Sequence, residues 1–137
     1  MPTAATAQEA LIYTMVTTSA ADRNMKDIEL SRINDLVAWL PVFKNFPPDR
    51  LVDIAQSCGT ILDSDTGLAD ILDLIATSLP PTLYETAYAL SVEIAAVDLD
   101  VKIEELRFLE LLRDRLDLDK LTTAAIERGA RARHAVV

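Results

Sequence analysis

Apolar side chains recur every three or four positions along most of the chain, which is the spacing of one face of an α-helix. The pattern predicts seven helices, over residues 7–20, 25–40, 48–62, 68–79, 83–97, 101–116 and 120–132. No segment alternates apolar and polar residues in the way that is typical of strands, so we predict no sheet. Helices of this length cannot each bury an apolar face alone, so they must pack together. The predicted fold is an all-α, single-domain bundle over residues 1–137, with fraying at 1–6 and 133–137.

Prolines and short polar segments mark the boundaries between these helices, since proline cannot continue a helix that precedes it. Thr82 and Glu85 have the spacing of a capping box, in which each side chain bonds the other residue's backbone amide. Asp119 precedes the last helix and is predicted to cap it. The pattern places five aromatic residues in the core or at its edge: Tyr13, Trp39, Tyr84, Tyr88 and Phe108.

The chain is acidic, with a formal net charge of −9 and a sequence pI near 4.5. Such a surface repels phosphate backbones and favours cations or proteins with a basic patch, so we expect protein partners and no nucleic acid. Cys58, the single cysteine, is expected to be a small buried residue in a reducing compartment. We find neither a secretory signal nor an apolar run long enough to cross a membrane, which predicts a cytoplasmic protein.

Most catalytic chemistry lacks its parts in this sequence. His134 is the only histidine, so neither a zinc site nor a nucleophile with a histidine base can be assembled. No glycine-rich loop could cradle a phosphate. A hydrolase that uses paired carboxylates is the one enzymatic alternative, and nothing in the sequence separates it from helix capping. We therefore predict a protein that is not an enzyme.

An acidic helix–loop–helix occurs twice, at residues 22–29 and 98–105, when the chain is shifted by 76 residues. The shift pairs identical or similar residues in register: Glu9 with Glu85, Asp22 with Asp98, Asn24 with Asp100, Lys26 with Lys102, Glu29 with Glu105 and Leu30 with Leu106. These matches predict two related helical hairpins, with the third and fourth helices between them.

Each acidic unit carries the oxygen donors of a cation site: Asp22, Asn24 and Glu29 in the first, and Asp98, Asp100 and Glu105 in the second. Helical side chains lean toward the helix N-terminus, so each glutamate can reach back to its loop. Oxygen donors of this kind suit Ca²⁺, Mg²⁺ or Mn²⁺. Neither loop is an EF-hand, because the glutamate follows the aspartate by seven residues and no glycine is present.

A second interpretation of the same residues needs no ligand. Asn24 and Asp100 are ordinary helix caps, and acidic residues in the first turn of a helix favour its dipole. Asp27, Glu29, Glu104 and Glu105 would then be solvated surface residues. Composition and spacing leave both interpretations open.

The two units resemble a known family. A small-residue helix that runs into Ala20-Ala21-Asp22, followed by Met25 and Glu29-Leu30, is similar to the Ala-Asp-Gly-x-(Ile/Val)-x-x-x-Glu signature of the TerB-like, tellurite-resistance proteins. Ala96-Val97-Asp98, with Val101 and Glu105-Leu106, resembles the signature a second time. Arg23 and Leu99 replace its glycine, and the resemblance covers about residues 9–130.

The resemblance implies a seven-helix fold and a role in resistance to tellurite and other stress. It also implies a divalent cation held by Asp22, Glu29, Asp98 and Glu105, with Asn24 and Asp100 as helpers. The family resemblance further implies protein partners in a membrane-associated complex. It does not define the oligomeric state.

A metal-free protein-interaction module is the alternative function. Its candidate surface is the connector at residues 39–46, where Val42, Phe43 and Phe46 need not all fit the core. The competing interpretation of this connector is a hydrophobic clasp that packs down over the bundle.

Overall fold

Seven α-helices and three short 3₁₀ turns account for most of the chain in a computed structural model that describes residues 5–20, 27–97 and 103–137. At residues 20, 27–29, 97 and 103–105 it describes the backbone alone. The helices are α1 (Ala7–Ala20), α2 (Asp27–Trp39), α3 (Leu51–Leu62), α4 (Gly67–Ser78), α5 (Tyr84–Val97), α6 (Ile103–Arg115) and α7 (Lys120–Arg133). The 3₁₀ turns are Pro41–Phe43, Pro48–Arg50 and Pro81–Leu83.

The all-α prediction is confirmed, and no strand occurs in the described ranges. Each helix lies within three residues of its predicted bounds, apart from residues 25, 26, 101 and 102, which fall outside the described residues. Asp119 caps α7 as predicted, because its carboxylate accepts a hydrogen bond of 2.8 Å from the backbone amide of Thr122. The prolines explain the three turns, since each turn has a proline at its start.

α1 is the central helix of the bundle. Every residue from 10 to 19 is buried, so α1 is enclosed on all sides rather than along one stripe. Its threonines remain compatible with the core because Thr14 and Thr18 each donate to the carbonyl four residues earlier, at 2.8 Å. α3 and α5 make the most extensive packing against α1, and α4, α2 and α6 complete its enclosure.

The capping box forms at a different place from the predicted one. α5 begins at Tyr84 directly after the Pro81–Leu83 turn, so Thr82 lies inside that turn, whose own cap position is Pro80 and has no side-chain hydrogen bond. The reciprocal pair instead starts α1. The Thr6 amide donates to Glu9 Oε1 at 2.9 Å, and the Glu9 amide donates to Thr6 Oγ1 at 3.1 Å.

Trp39 is not a core residue, contrary to the sequence prediction. Its side chain is 85% exposed, while Ile33 and Val37 on the same helix are buried. Positions 33 and 37 share one face of α2, and position 39 lies about 200° around the helix from position 37. The remaining predicted aromatic core residues are buried or half-buried.

α1 and α5 run side by side in the same direction. Both begin beside the last turns of α4: the Ala5 amide donates to Ser78 Oγ at 3.1 Å, and the Tyr84 hydroxyl donates to the Ala76 carbonyl at 3.2 Å. The two helices have 14 residues each and pack against one another. Their C-terminal ends, which lead into the acidic segments 22–29 and 98–105, therefore lie at the same end of the bundle.

α3 packs on α1 much as α7 packs on α5. The 76-residue shift carries the bounds of α2 onto those of α6 and the bounds of α1 to within one residue of α5. The same shift carries the contact between Thr17 and Cys58 onto the contact between Glu93 and His134. The common origin of the two units stays a prediction from the sequence.

Candidate functional site

Of the six predicted metal ligands, four lie in the two gaps in the described chain and two lie just after them. Asp22, Asn24, Asp98 and Asp100 lie outside the described residues. Glu29 and Glu105 lie in the first turns of α2 and α6, where only the backbone is described. The structure thus positions the helices that flank these ligands, and the geometry of the ligands themselves stays a prediction.

An ion pair links α2 and α5, two of the four helices that flank the acidic segments. Arg32, in the second turn of α2, places its Nη2 atom 3.4 Å from Oε2 of Glu93, in the last turns of α5. Because α2 follows the first acidic segment and α5 precedes the second, this pair connects the two units at that end of the bundle. We call the region formed by the C-terminal ends of α1 and α5 and the start of α2 the loop end.

Three buried polar atoms have no hydrogen-bond partner in the described part of the chain: Ser19 Oγ, Arg32 Nε and Ser91 Oγ. Ser19 is in the last turn of α1, and its residue is 1% exposed. A buried hydroxyl without a partner is costly, and such atoms commonly mark the position of a water molecule or an ion. Ser19 therefore adds an available oxygen donor at the loop end.

Glu93 is the centre of a cluster of charged groups that joins α2, α5 and α7. Its side chain is 13% exposed. The Arg133 guanidinium donates from Nε to Oε1 at 2.7 Å and also pairs through Nη2, while His134 Nε2 lies 2.8 Å from Oε2. Burial alone raises the pKa of the Glu93 carboxyl, but hydrogen bonds from His134 and Arg133, together with their charges, hold this pKa below its ordinary value.

The Glu93 cluster predicts how stability responds to acid. A carboxyl whose pKa is lower in the folded state than in the unfolded state stabilises the fold above its unfolded pKa, and this contribution disappears as pH falls through the folded pKa. We expect the wild-type free energy of unfolding to fall as pH drops below about 4.5, the unperturbed glutamate value. Glu93→Gln cannot titrate, so urea unfolding at several pH values should show a shallower acid loss. Identical slopes for the two proteins would contradict this role of Glu93.

The cluster also anchors the start of the C-terminal tail. We expected fraying from residue 133, yet Arg133 lies in the last turn of α7 and His134 contacts Glu93. The signal that could have revealed this cluster is a single charged residue, Glu93, among the apolar residues of the second half of α5. Its partners lie 61, 40 and 41 residues away, beyond the reach of any local pattern.

Cys58 occupies the position that corresponds to His134 under the 76-residue shift, and it is buried as predicted. Its Sγ lies 3.4 Å from Thr17 Oγ1. Burial raises the pKa of the Cys58 thiol to about 11, outweighing the hydrogen bond with Thr17 that lowers it. Because the thiolate is the nucleophile, this thiol is unreactive near neutral pH.

Phe43 and Phe46 of the 39–46 connector pack down as a clasp, which is one of its two predicted interpretations, whereas Trp39 at its start is 85% exposed. Phe43 and Phe46 are buried, and their rings meet edge to face with centroids 6.2 Å apart. The Gln8 side-chain amide donates to the carbonyls of Val42 and Lys44 at 3.1 and 3.2 Å, which ties the connector to α1. The two phenylalanines are therefore not available as a docking surface.

Within residues 5–20, 27–97 and 103–137, no group of three or more histidine, cysteine or acidic side chains is placed to hold a metal ion. No helix in these ranges is long and apolar enough to span a membrane. No protein family, curated protein or solved structure matches the chain.

Proposed function

We propose that this chain is a non-enzymatic, TerB-like stress-response protein whose two acidic units bind a divalent cation at the loop end. The observation that carries the proposal is the parallel course of α1 and α5, which brings the helix ends that flank both acidic segments to one end of the bundle. Two loops at one end can share an ion, which matters because each loop alone supplies too few ligands.

The local chemistry fits a hard cation. The acidic segments supply carboxylate and amide oxygens, and Ser19 contributes a buried hydroxyl without a partner beside the first segment. The candidate ligands are Asp22, Asn24, Glu29, Asp98, Asp100 and Glu105. A bound Ca²⁺, Mg²⁺ or Mn²⁺ would supply positive charge that holds these acidic groups together, and in the proposal it has no catalytic role.

Calorimetric titration with Ca²⁺, Mg²⁺ and Mn²⁺ tests the cation site. We expect saturable heat for the wild type and none for the double variant Asp22→Asn/Asp98→Asn. A ligand that binds only the folded state at ten times its Kd should also raise the free energy of unfolding by about 1.4 kcal/mol. The absence of both heat and thermal stabilisation at millimolar metal would overturn the cation site.

A matched variant separates a specific site from the general attraction of an acidic surface. Asp63 and Asp65 are exposed in the turn between α3 and α4, so Asp63→Asn/Asp65→Asn removes the same charge away from the acidic segments. We expect this variant to keep the metal heat. Equal losses in the two double variants would show that net charge alone attracts the ion.

The acidic units also suit a protein partner with a basic patch, as the net charge of −9 favours. In this form of the proposal, the partner binds the loop end and no metal is needed. If a protein with a basic patch binds the wild type equally well in EDTA and in Ca²⁺ but does not bind Asp22→Asn/Asp98→Asn, this form of the proposal is supported. Capture unaffected by that double variant would exclude the acidic units as the docking surface.

A further inference from the structure

A cavity of about 660 Å³ lies between α5, α6 and α7, and its wall includes neither the clasp residues nor the predicted metal ligands. Its volume falls within the roughly 300–1,000 Å³ of typical small-molecule pockets. Aliphatic side chains form most of its wall: Val92, Ala95 and Ala96 from α5, Leu106 and Leu109 from α6, and Ala130 from α7. The cavity can therefore bind the apolar part of a ligand.

Some polar side chains in the wall already have hydrogen-bond or ion-pair partners within the protein, and others do not. The Tyr88 hydroxyl donates to Glu127 at 2.6 Å, so both groups are occupied. Arg113 lies 3.9 Å from the same carboxylate, a distance too long for a strong hydrogen bond. Arg131 is exposed at the cavity and forms no ion pair within the described residues. Arg131 thus retains its donors for a ligand, whereas Arg113 is partly engaged by Tyr88 and Glu127, and Glu110 adds a second carboxylate to the wall.

α7 and the tail that follows it differ in net charge from the rest of the protein. Residues 120–137 carry four basic side chains and one acidic side chain, although the chain as a whole has a net charge of −9. α6 adds no net positive charge, since residues 103–115 hold three basic and four acidic side chains and Arg115 pairs with Asp73 at 3.2 Å. An anion repelled by most of the surface would be attracted to α7, where Arg131 lies at the cavity.

The mouth of the cavity is apolar. Leu106 and Val136 line it and are 48% and 81% exposed. The tail that carries Ala135 and Val136 is held in place by the contact of His134 with Glu93. An apolar chain can therefore enter along exposed aliphatic side chains and end with its head group beside the arginines.

We propose that the cavity between α5, α6 and α7 binds a free amphipathic monocarboxylate, such as a medium-chain fatty acid. The hydrocarbon packs on the aliphatic wall, and the carboxylate accepts hydrogen bonds from Arg131 and Arg113. Arginine suits this role because its planar fork matches a carboxylate with two parallel bonds. The wall shares no residue with the predicted metal ligands, but Ala96 and Leu106 lie next to the second acidic segment, so EDTA in the titration keeps the test of this cavity separate from that of the cation site.

Titration of the ¹⁵N-labelled protein with decanoate in the presence of EDTA tests the site. We expect saturable amide shifts in α5, α6 and the second half of α7, and little effect in α3 and α4. Decyltrimethylammonium, which has the same chain and the opposite charge, should bind at least tenfold more weakly. Equal binding of the two amphiphiles, or shifts spread over the whole bundle, would overturn the proposal.

Two matched pairs of variants locate the ligand. Arg131→Gln should weaken decanoate binding roughly threefold to tenfold, the range expected for losing one charged hydrogen bond at an exposed site. Arg128→Gln, one turn away on α7 and outside the cavity wall, should change it little. Ala96→Phe should fill the cavity and block binding, whereas Ala132→Phe, on the exposed side of α7, should not. Unchanged binding in both Arg131→Gln and Ala96→Phe would show that decanoate does not occupy this cavity.

Discussion

Replacing Phe108 with alanine is expected to lower the free energy of unfolding by about 3–5 kcal/mol. Phe108 is 2% exposed and is among the largest fully buried side chains of the bundle. Its truncation removes the transfer free energy of the ring and leaves a cavity that helices joined by short turns cannot easily close. A domain of this size is stable by about 5–15 kcal/mol, so the loss is a large share of the total. Urea unfolding followed by circular dichroism would measure it.

Trp39→Ala is the matched control for this loss. Trp39 is the larger aromatic residue but is 85% exposed, so its truncation should change the free energy of unfolding by less than about 0.5 kcal/mol. Phe108→Leu, a milder change, keeps the comparison measurable if the alanine variant does not fold. A larger cost for Trp39→Ala than for Phe108→Leu would contradict the exposure of Trp39 or the burial of Phe108.

Gly67→Ala is expected to destabilise the protein by about 1–3 kcal/mol, although it adds only one methyl group. A Cβ atom at this position would lie 2.5 Å from the Ile61 carbonyl oxygen and 2.6 Å from that of Leu62. Both atoms belong to the backbone of the last turn of α3, so α3 and α4 would have to move apart. Thermal unfolding would report the change as a lower Tm.

Gly59→Ala provides a comparison with the opposite sign. Gly59 lies within α3, and apart from its chain neighbours and the backbone of its own helix no atom is within 4 Å of the position of its Cβ. Alanine there should stabilise the helix by up to about 1 kcal/mol, because glycine is a poor helix former. Two changes of the same kind, eight residues apart, should thus move Tm in opposite directions. A shift in the same direction would contradict the close packing of α3 on α4 at Gly67.

The helices were predictable because two independent local signals agree. The helical spacing of apolar residues identifies their interiors, and the prolines at 41, 47, 48, 80 and 81 mark where they cannot continue. The capping box was misplaced because Thr82-x-x-Glu85 and Thr6-x-x-Glu9 carry the same pattern. Pro81 made the difference, since it starts the turn before α5 and Thr82 lies inside that turn.

Features that depend on packing between distant helices were not predictable in this way. Thr14, Thr17 and Thr18 are polar residues of α1, and all three are buried because α3, α4 and α5 enclose that helix. Trp39 was assigned to the core by its residue type, although its position two residues after Val37 points it away from the buried face. The Glu93 cluster forms only where α2, α5 and the end of α7 pack together, and no local sequence pattern predicts contacts between residues so far apart in the chain.

The enclosure of α1 has a consequence for how the chain folds as it is synthesised. α1 leaves the ribosome first, but the helices that cover it most extensively, α3 and α5, follow only after residues 51 and 84. Until α5 has emerged, the ten consecutive residues from Ala10 to Ser19 have no complete set of partners. Released chains truncated before the end of α5 at Val97 should therefore expose this segment to chaperones and proteases, and chains that include α5 should protect it.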